Sequence, residues 1–336
     1  MLFTTSTHLK NLNKSSIFLS LLGIIVSLQF ISCQKKSIQP ISVQLIEMNT
    51  HLDLEKILFI NDSLGYIVGG DRFTESGIWF TNDGGQHWQT ATGPALSTGK
   101  KIYALDQFQN KVYAAGLDGK LYFSMNDSIN YWDFHQIHAW KIIKGMSITA
   151  SDAIYLAYGV AFQNGGILKV DSQGEILQHD TFGFELSAIR FIDSEIGYAC
   201  GYGAILKTEN AGEEWKHLNI LGDFFKDISC PDLQNIWVVG YEGSIVHSKN
   251  AGETWQKQRN GNSLFQEKWH LNAVSFVDAN TGYAVGEKGL IIQTLNGGKS
   301  WQVIQQPYLQ NLHGLYIKNN ILWATGTGGT LLKLQL

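Results

Sequence analysis

Three acidic residues sit just past apolar runs that end in glycine: Asp71 in "VGGDRF", Glu242 in "VVGYEGS" and Glu287 in "AVGEKG". Carboxylates on loops facing each other across a cleft are what glycoside hydrolysis uses, one as acid and the other as base or nucleophile. Hydrolysis of an acidic sugar asks for more: an arginine triad to hold the carboxylate and a Tyr/Glu pair for the chemistry. The chain has three arginines, Arg72, Arg190 and Arg259. No Arg-Ile-Pro motif is present, and Arg259 ends an outer strand that should turn it away from a central channel. Acids on surface loops are ordinarily just solvated, so none of the three is assigned a catalytic role. Metal chemistry lacks its spacing as well, because the ten histidines contain no His-Glu-x-x-His and the "HQIH" pair, His135 and His138, is a poor ligand pair outside a helix. The "GTGG" at Gly326 has neither the lysine nor the helix of a phosphate loop. No cofactor is expected.

The elements that would carry these loops repeat. "TNDGGQHW" at Thr81 returns as "TENAGEEW" at Thr208, "SKNAGETW" at Ser248 and "TLNGGKSW" at Thr294. A second unit, an apolar strand closed by glycine, occurs seven times, ending at Gly69, Gly116, Gly159, Gly201, Gly240, Gly286 and Gly326, at intervals of 39 to 47 residues. That period, with four strand-like runs inside it, is the period of a β-propeller blade. The unit from Leu271 reads in full as "LNAVSFVD", "TGYAVGE", "GLIIQT" and "SWQVIQQ", which places the Trp phrase in the turn from the third to the fourth strand. Asn or Asp at its third position makes an Asx-turn, Gly at the fifth takes a positive φ, and Trp at the eighth covers the hairpin. Asp83, Gly85, Trp88, Asn210, Gly212, Trp215, Asn250, Gly252, Trp255, Asn296, Gly298 and Trp301 are therefore structural. The seventh unit ends at Leu336 after three strands, and "ISVQLIEM" (41–48) has strand character with no other blade to join. It is expected to supply the missing outer strand. The fold is thus all-β, a seven-bladed β-propeller of four-stranded antiparallel blades over 41–336, with its ring closed by the N-terminal strand.

Composition agrees: 35 Gly and 40 aromatic residues (17 Phe, 13 Tyr, 10 Trp) beside 4 Pro suit short strands and tight turns. The net charge is −4, or −6 once residues 1–32 and their Lys10 and Lys14 are removed, which excludes the clustered cations that a nucleic-acid binder needs. Lys10 and Lys14 precede the uncharged run "IFLSLLGIIVSLQF" and then "ISC", the order of an export signal. Cys33 after a small residue resembles a bacterial lipoprotein signal, with Phe30 where the pattern has Leu. That resemblance implies a signal peptide over 1–32, a lipid on Cys33, a tether over 33–40 and an exported, membrane-anchored protein on the periplasmic face or cell surface. An uncleaved signal anchor and ordinary signal-peptide cleavage stay open. Cys200 and Cys230 lie in no spaced disulfide framework and are expected as two buried thiols.

The eight-residue phrase has the spacing of the Asp-box, Ser-x-Asp-x-Gly-x-Thr-Trp, and "SKNAGETW" matches it best. With strand pairs such as "GYAVGEKGLIIQT", the chain from about Leu54 to Leu336 resembles the photosystem II assembly and stability factor family. That resemblance implies a seven-bladed, exported, non-enzymatic scaffold; the family's arginine-rich client patch has no counterpart here. Propeller geometry puts second-to-third-strand loops and inter-blade loops on one face and the Trp-phrase turns on the other. The first face gathers Asp71, Arg72, Phe73, Asp118, Tyr202, Tyr241, Glu242, Glu287 and Lys288, and between blades Trp140, Phe225, Trp269, His270 and Tyr308. Aromatic groups among charges make this the candidate surface for a protein partner. A monomeric, lipid-anchored binding or assembly scaffold is the leading reading. A carbohydrate-binding or glycan-hydrolysing propeller is the alternative.

Overall fold

The computed structural model describes residues 42–125, 128–218, 220, 222–265 and 267–336. The expected signal peptide, Cys33 and the tether lie outside the described residues. Seven antiparallel sheets, each of four strands, follow one another along the chain. In numbers, the blades run 53–90, 102–136, 143–182, 186–217, 225–259, 271–303 and 312–335, the last completed by the strand Val43–Ile46. This strand pairs antiparallel with Leu331–Gln335, Val43 opposite Leu334 and Ile46 opposite Leu331. It supplies the fourth strand that the sequence leaves open, and it covers an edge that would otherwise expose unpaired backbone groups. Behind it, Met48 is buried and Ile46 packs with Leu331 and Trp323.

Each inner strand has a buried apolar residue at its first paired position, or in the first blade at its second, after Asp53. Leu54, Ile102, Ile143, Leu186, Leu271 and Leu312 are 0% exposed and Phe225 is 1% exposed. Further along, three blades pair a Phe with a Gly. The rings of Phe59, Phe191 and Phe276 lie over Gly65, Gly197 and Gly282, where an added Cβ would come within 2.7, 2.9 and 2.5 Å of the ring. In the fifth blade, one residue beyond the Ser229–Trp237 pair, the small Cys230 and the large Ile236 share one core cluster. Cys200 and Cys230 are both free, and burial pushes the Cys230 thiol up to about 12.

The innermost strands have a free backbone edge on the ring's axis, and side chains from the preceding blade use it. Asp106 accepts from the Ile148 N–H (3.0 Å), Asp227 from Val274 N–H (3.0 Å), Ser147 from Phe191 N–H (2.9 Å) and Ser229 from Phe276 N–H (2.8 Å). The Tyr316 hydroxyl donates to the Phe59 carbonyl across the closure (2.9 Å). These contacts link neighbouring blades with bonds that secondary structure alone cannot provide.

Between the fifth and sixth blades three rings stack face to face: Phe276 on Trp237 (3.7 Å between centroids) and Trp237 on His247 (3.8 Å). His247 Nε2 donates to Asn235 Oδ1 and Nδ1 accepts from Gln258 Nε2, each at 3.2 Å, an arrangement for the neutral ring. Burial, reinforced by Lys249, lowers its pKa to about 4. The folded value lies below the ordinary 6.5, so the unfolded chain takes up the proton first as pH falls. Stability is therefore expected to be level above about pH 6.5 and to drop between pH 6.5 and 4 by up to roughly 3 kcal/mol. Urea titrations across that window check this: His247→Gln should flatten the drop, and an unchanged profile would exclude His247 as its source.

Candidate functional site

The four Trp phrases form one hydrogen-bonded turn. The hydroxyl at the first position donates to the Asp or Asn at the third at 2.8–3.0 Å, as Thr81 to Asp83, Thr208 to Asn210, Ser248 to Asn250 and Thr294 to Asn296. The glycine N–H at the fifth position donates back to that hydroxyl, and Gly85, Gly212, Gly252 and Gly298 have φ of 79–83°. The N–H at the seventh position donates to the same Asp or Asn oxygen at 2.9–3.0 Å. Trp88, Trp215 and Trp301 meet Phe59, Phe191 and Phe276 edge-on at 5.8–6.0 Å. These hydroxyl, carboxylate or amide and N–H groups serve the turn itself, and Trp255 donates from Nε1 to the Gly252 carbonyl (3.0 Å), while the Ala211 and Ala251 carbonyls accept from the Tyr155 and Tyr198 hydroxyls of the preceding blades.

The opposite face is organised by a feature hidden in the sequence. Each inner strand has a β-bulge one residue after its first buried apolar position. The extra residues are Glu55, Tyr103, Lys144, Ser187, Lys226, Asn272 and His313, and all seven line the mouth of the central channel. Two residues further on, Ile57, Leu105, Met146, Ile189, Ile228, Val274 and Leu315 line the channel itself. Bulges re-aim side chains, and seven in register give a mostly polar rim above a channel that also holds Lys56, Asp106, Arg190 and Asp227. On the rim Lys101 bridges Asp53 and Glu55, both at 2.7 Å, and Lys144 pairs with Glu185. Burial alone would raise the Glu55 carboxyl, but His313 and Lys101 outweigh it and hold it at about 2.

Beside the mouth lies a hollow of about 750 Å³ lined by Phe162, Tyr202, Phe224, Lys226, Tyr241 and Glu242 among others. Its apolar wall comes from three segments: Phe162 and Tyr202 rings are 4.9 Å apart, Phe162 and Phe224 5.6 Å, and Tyr202 and Phe224 5.9 Å. Phe162 is 52% and Tyr202 48% exposed. The turn that carries Phe162 is strained. Val160 pairs with Gln163, leaving a two-residue hairpin loop of Ala161 and Phe162, both with positive φ (55° and 65°). Such loops favour Asn-Gly, because side chains with a Cβ resist the left-handed region. Glu185 holds the turn in place by accepting from the Phe162 N–H (2.7 Å).

The structure gathers some of the expected face residues and separates others. Tyr202, Tyr241 and Glu242 line the hollow, Tyr241 stacks at 4.5 Å on His270, whose Nδ1 meets the Tyr241 carbonyl, and Glu242 pairs with Lys268 at 3.0 Å. Glu287 lines the channel mouth with Tyr241. Asp71, Arg72 and Phe73 are exposed on the first blade, where Arg72 and Lys100 both lie over the Phe73 ring and Lys100 pairs with Asp118 at 2.8 Å. Trp140 is 68% exposed between the second and third blades. Trp269 is covered by the Arg259 guanidinium at 4.2 Å, Tyr308 is half-buried, and Lys288 is exposed with its N–H donating to Asn311. Phe225 is a correction. It fills the core as the first apolar residue of its inner strand, and its neighbour Phe224 is the one that reaches the hollow. Aligning "FFKDIS" with "DLEKIL" would have shown the one-residue shift. The three arginines occupy separate places: Arg72 on the first-blade loop, Arg190 in the channel and Arg259 under Trp269.

No protein-family model matches the chain. Solved structures share its fold. YCF48 from Cyanidioschyzon merolae superposes with a TM-score of 0.66 at 14% identity, covering 88% of this chain and 98% of that one. YCF48 bound to D1 peptide gives 0.67 at 15% over 89% and 98%. A catalytically inactive virginiamycin B lyase from Staphylococcus aureus with quinupristin gives 0.71 at 13% over 88% and 99%. At these identities the likeness concerns the seven-bladed architecture alone.

Proposed function

We propose that the protein is a non-enzymatic scaffold of the cell envelope, lipid-anchored through Cys33, that binds a protein partner on the face holding the channel mouth and the aromatic hollow. The strained Ala161–Phe162 turn carries this reading. Each left-handed non-glycine residue costs on the order of 1–3 kcal/mol, and here the strain places a half-exposed phenyl ring over a cavity instead of burying it. Left-handed alanines occur in the structural turns as well, at Ala211 and Ala251, and what sets the Ala161–Phe162 turn apart is the exposed ring it holds over the hollow. The resemblance to the photosystem II assembly family, YCF48 with its D1 peptide and the WD40 neighbours, such as the propeller of Doa1, supports a protein partner over a small substrate.

Two measurements test it. A photo-crosslinking residue introduced at Tyr202 in cells should give one discrete adduct, and the same residue at Lys299, on the opposite face, should not. Replacing Ala161–Phe162 with Asn-Gly should raise stability by about 1 kcal/mol through relief of the turn and abolish that adduct. Identical adducts from both faces would overturn the assignment of the face. Turnover of fluorogenic glycosides that vanishes in Glu242→Gln or Glu287→Gln would replace the scaffold with a glycan hydrolase.

A further inference from the structure

Four lysines sit around the channel mouth and the hollow with different company: Lys56, which lines the channel away from the hollow and has no ion pair among the described residues, Lys101, Lys144 and Lys226. Lys101 is neutralised by Asp53 and Glu55, and Lys144 by Glu185. Lys226, on the bulge of the fifth blade, has no carboxylate within 4 Å among the described residues, and its ammonium rests 4.2 Å above the Phe224 ring. The acids nearby are engaged elsewhere: Glu185 pairs with Lys144 and Glu55 with Lys101, Asp223 accepts from the Glu242 and Ser244 N–H groups (2.8 and 2.9 Å), and Glu242 pairs with Lys268. Lys226 lines both the hollow and the channel mouth, so one end of the aromatic wall finishes in a cation without a counter-ion.

We infer that the hollow receives an acidic segment of a partner polypeptide, with a carboxylate going to Lys226 and a neighbouring apolar or aromatic side chain lying in the corner of Phe162, Tyr202 and Phe224. The inference rests on reading this face as a protein contact and names the chemistry of what it contacts. A charge withdrawn from water without a partner is unfavourable, and a ligand anion removes that cost on binding while adding a charge-assisted hydrogen bond. Burial, with Lys144 adding to it, already pulls the Lys226 pKa below its ordinary value, which is the same unmet demand seen from the proton's side. A cationic ligand is disfavoured because Lys226 itself occupies the Phe224 face. A uronic sugar carries the carboxylate but prefers one broad open ring face. Here the three rings are inclined at 41°, 81° and 72° to one another and enclose a corner that fits a branched or aromatic side chain.

The test selects a phage-displayed library of random dodecapeptides on the mature chain, with Lys226→Met and Tyr202→Ala selected in parallel and their folding confirmed by thermal melts. The native chain is expected to enrich sequences with Asp or Glu beside Phe, Tyr, Trp or Leu. A synthetic peptide from that pool should bind at least tenfold more weakly when its acid becomes the amide, and in Lys226→Met the acid and amide should differ less than twofold. Tyr202→Ala should lose the aromatic preference and keep the acid. Selection of basic or acid-free peptides, equal binding of acid and amide by the native chain, or no selection at all would overturn the inference. Retention of glucuronides on a glycan array in place of peptides would do the same in favour of a sugar. The Tyr202 crosslink separates the two levels: if it persists while acid selectivity is absent, the face stands and the acidic ligand falls.

Discussion

A chain lacking residues 41–48 is expected to fail as a folded monomer, or to melt at least 15 °C below the intact chain. The segment contributes four paired residues to the last blade and closes a ring whose other six closures are made by covalent continuity. Removing it exposes Leu331, Leu332 and Leu334, each 0% exposed, and leaves Leu331–Gln335 as a bare apolar edge, a template for aggregation. Burial of roughly 25 cal/mol per Å² is lost from several side chains at once, a large share of the 5–15 kcal/mol that holds a domain together. Calorimetry and size-exclusion chromatography check it, and a synthetic peptide spanning 41–48 added in trans should recover part of the loss. A monomer with unchanged melting would show that the first and seventh blades hold each other without the strand.

Gly282→Ile is expected to destabilise by about 3 kcal/mol, and Phe276→Cys in the same chain should recover at least half of it. The glycine lies under the Phe276 ring, where a Cβ would come within 2.5 Å, and overpacking of this kind costs 1–3 kcal/mol or more. The double replacement introduces the residue types, Cys and Ile, that share the core of the fifth blade at Cys230 and Ile236. Recovery will be partial, since Phe276 also stacks on Trp237 at 3.7 Å and that contact goes with it. Chemical denaturation of the two single variants and the double gives the coupling directly. Additive losses would mean that the ring and the glycine are not solving one packing problem.

The architecture was legible because its signals repeat. Glycine-ended strands at a blade's period and a three-strand last unit leave little choice about the number of blades or the use of 41–48. The Trp-phrase turns were equally open to reading, since each of their polar positions has a local job that spacing reveals. The face proposed to bind a partner was only half legible. Tyr202, Tyr241 and Glu242 follow closing glycines and could be placed from them, whereas Phe224 and Phe225 differ by one position in a strand whose inward and outward sides alternate. Phe162 had no signal at all: Ala-Phe violates the turn rule that would have located it. Lys226 looked like any lysine in a half-buried strand until the bulges put seven such positions in one ring.

The direction of the N-terminal strand fixes the side on which the chain enters the ring. Val43 lies beside Leu334 and Ile46 beside Leu331, so the strand climbs from the Trp-phrase side toward the hollow. Whatever is attached ahead of Val43 therefore joins the ring at its outer rim on the side of the tight turns and leaves the aromatic hollow uncovered by that entry.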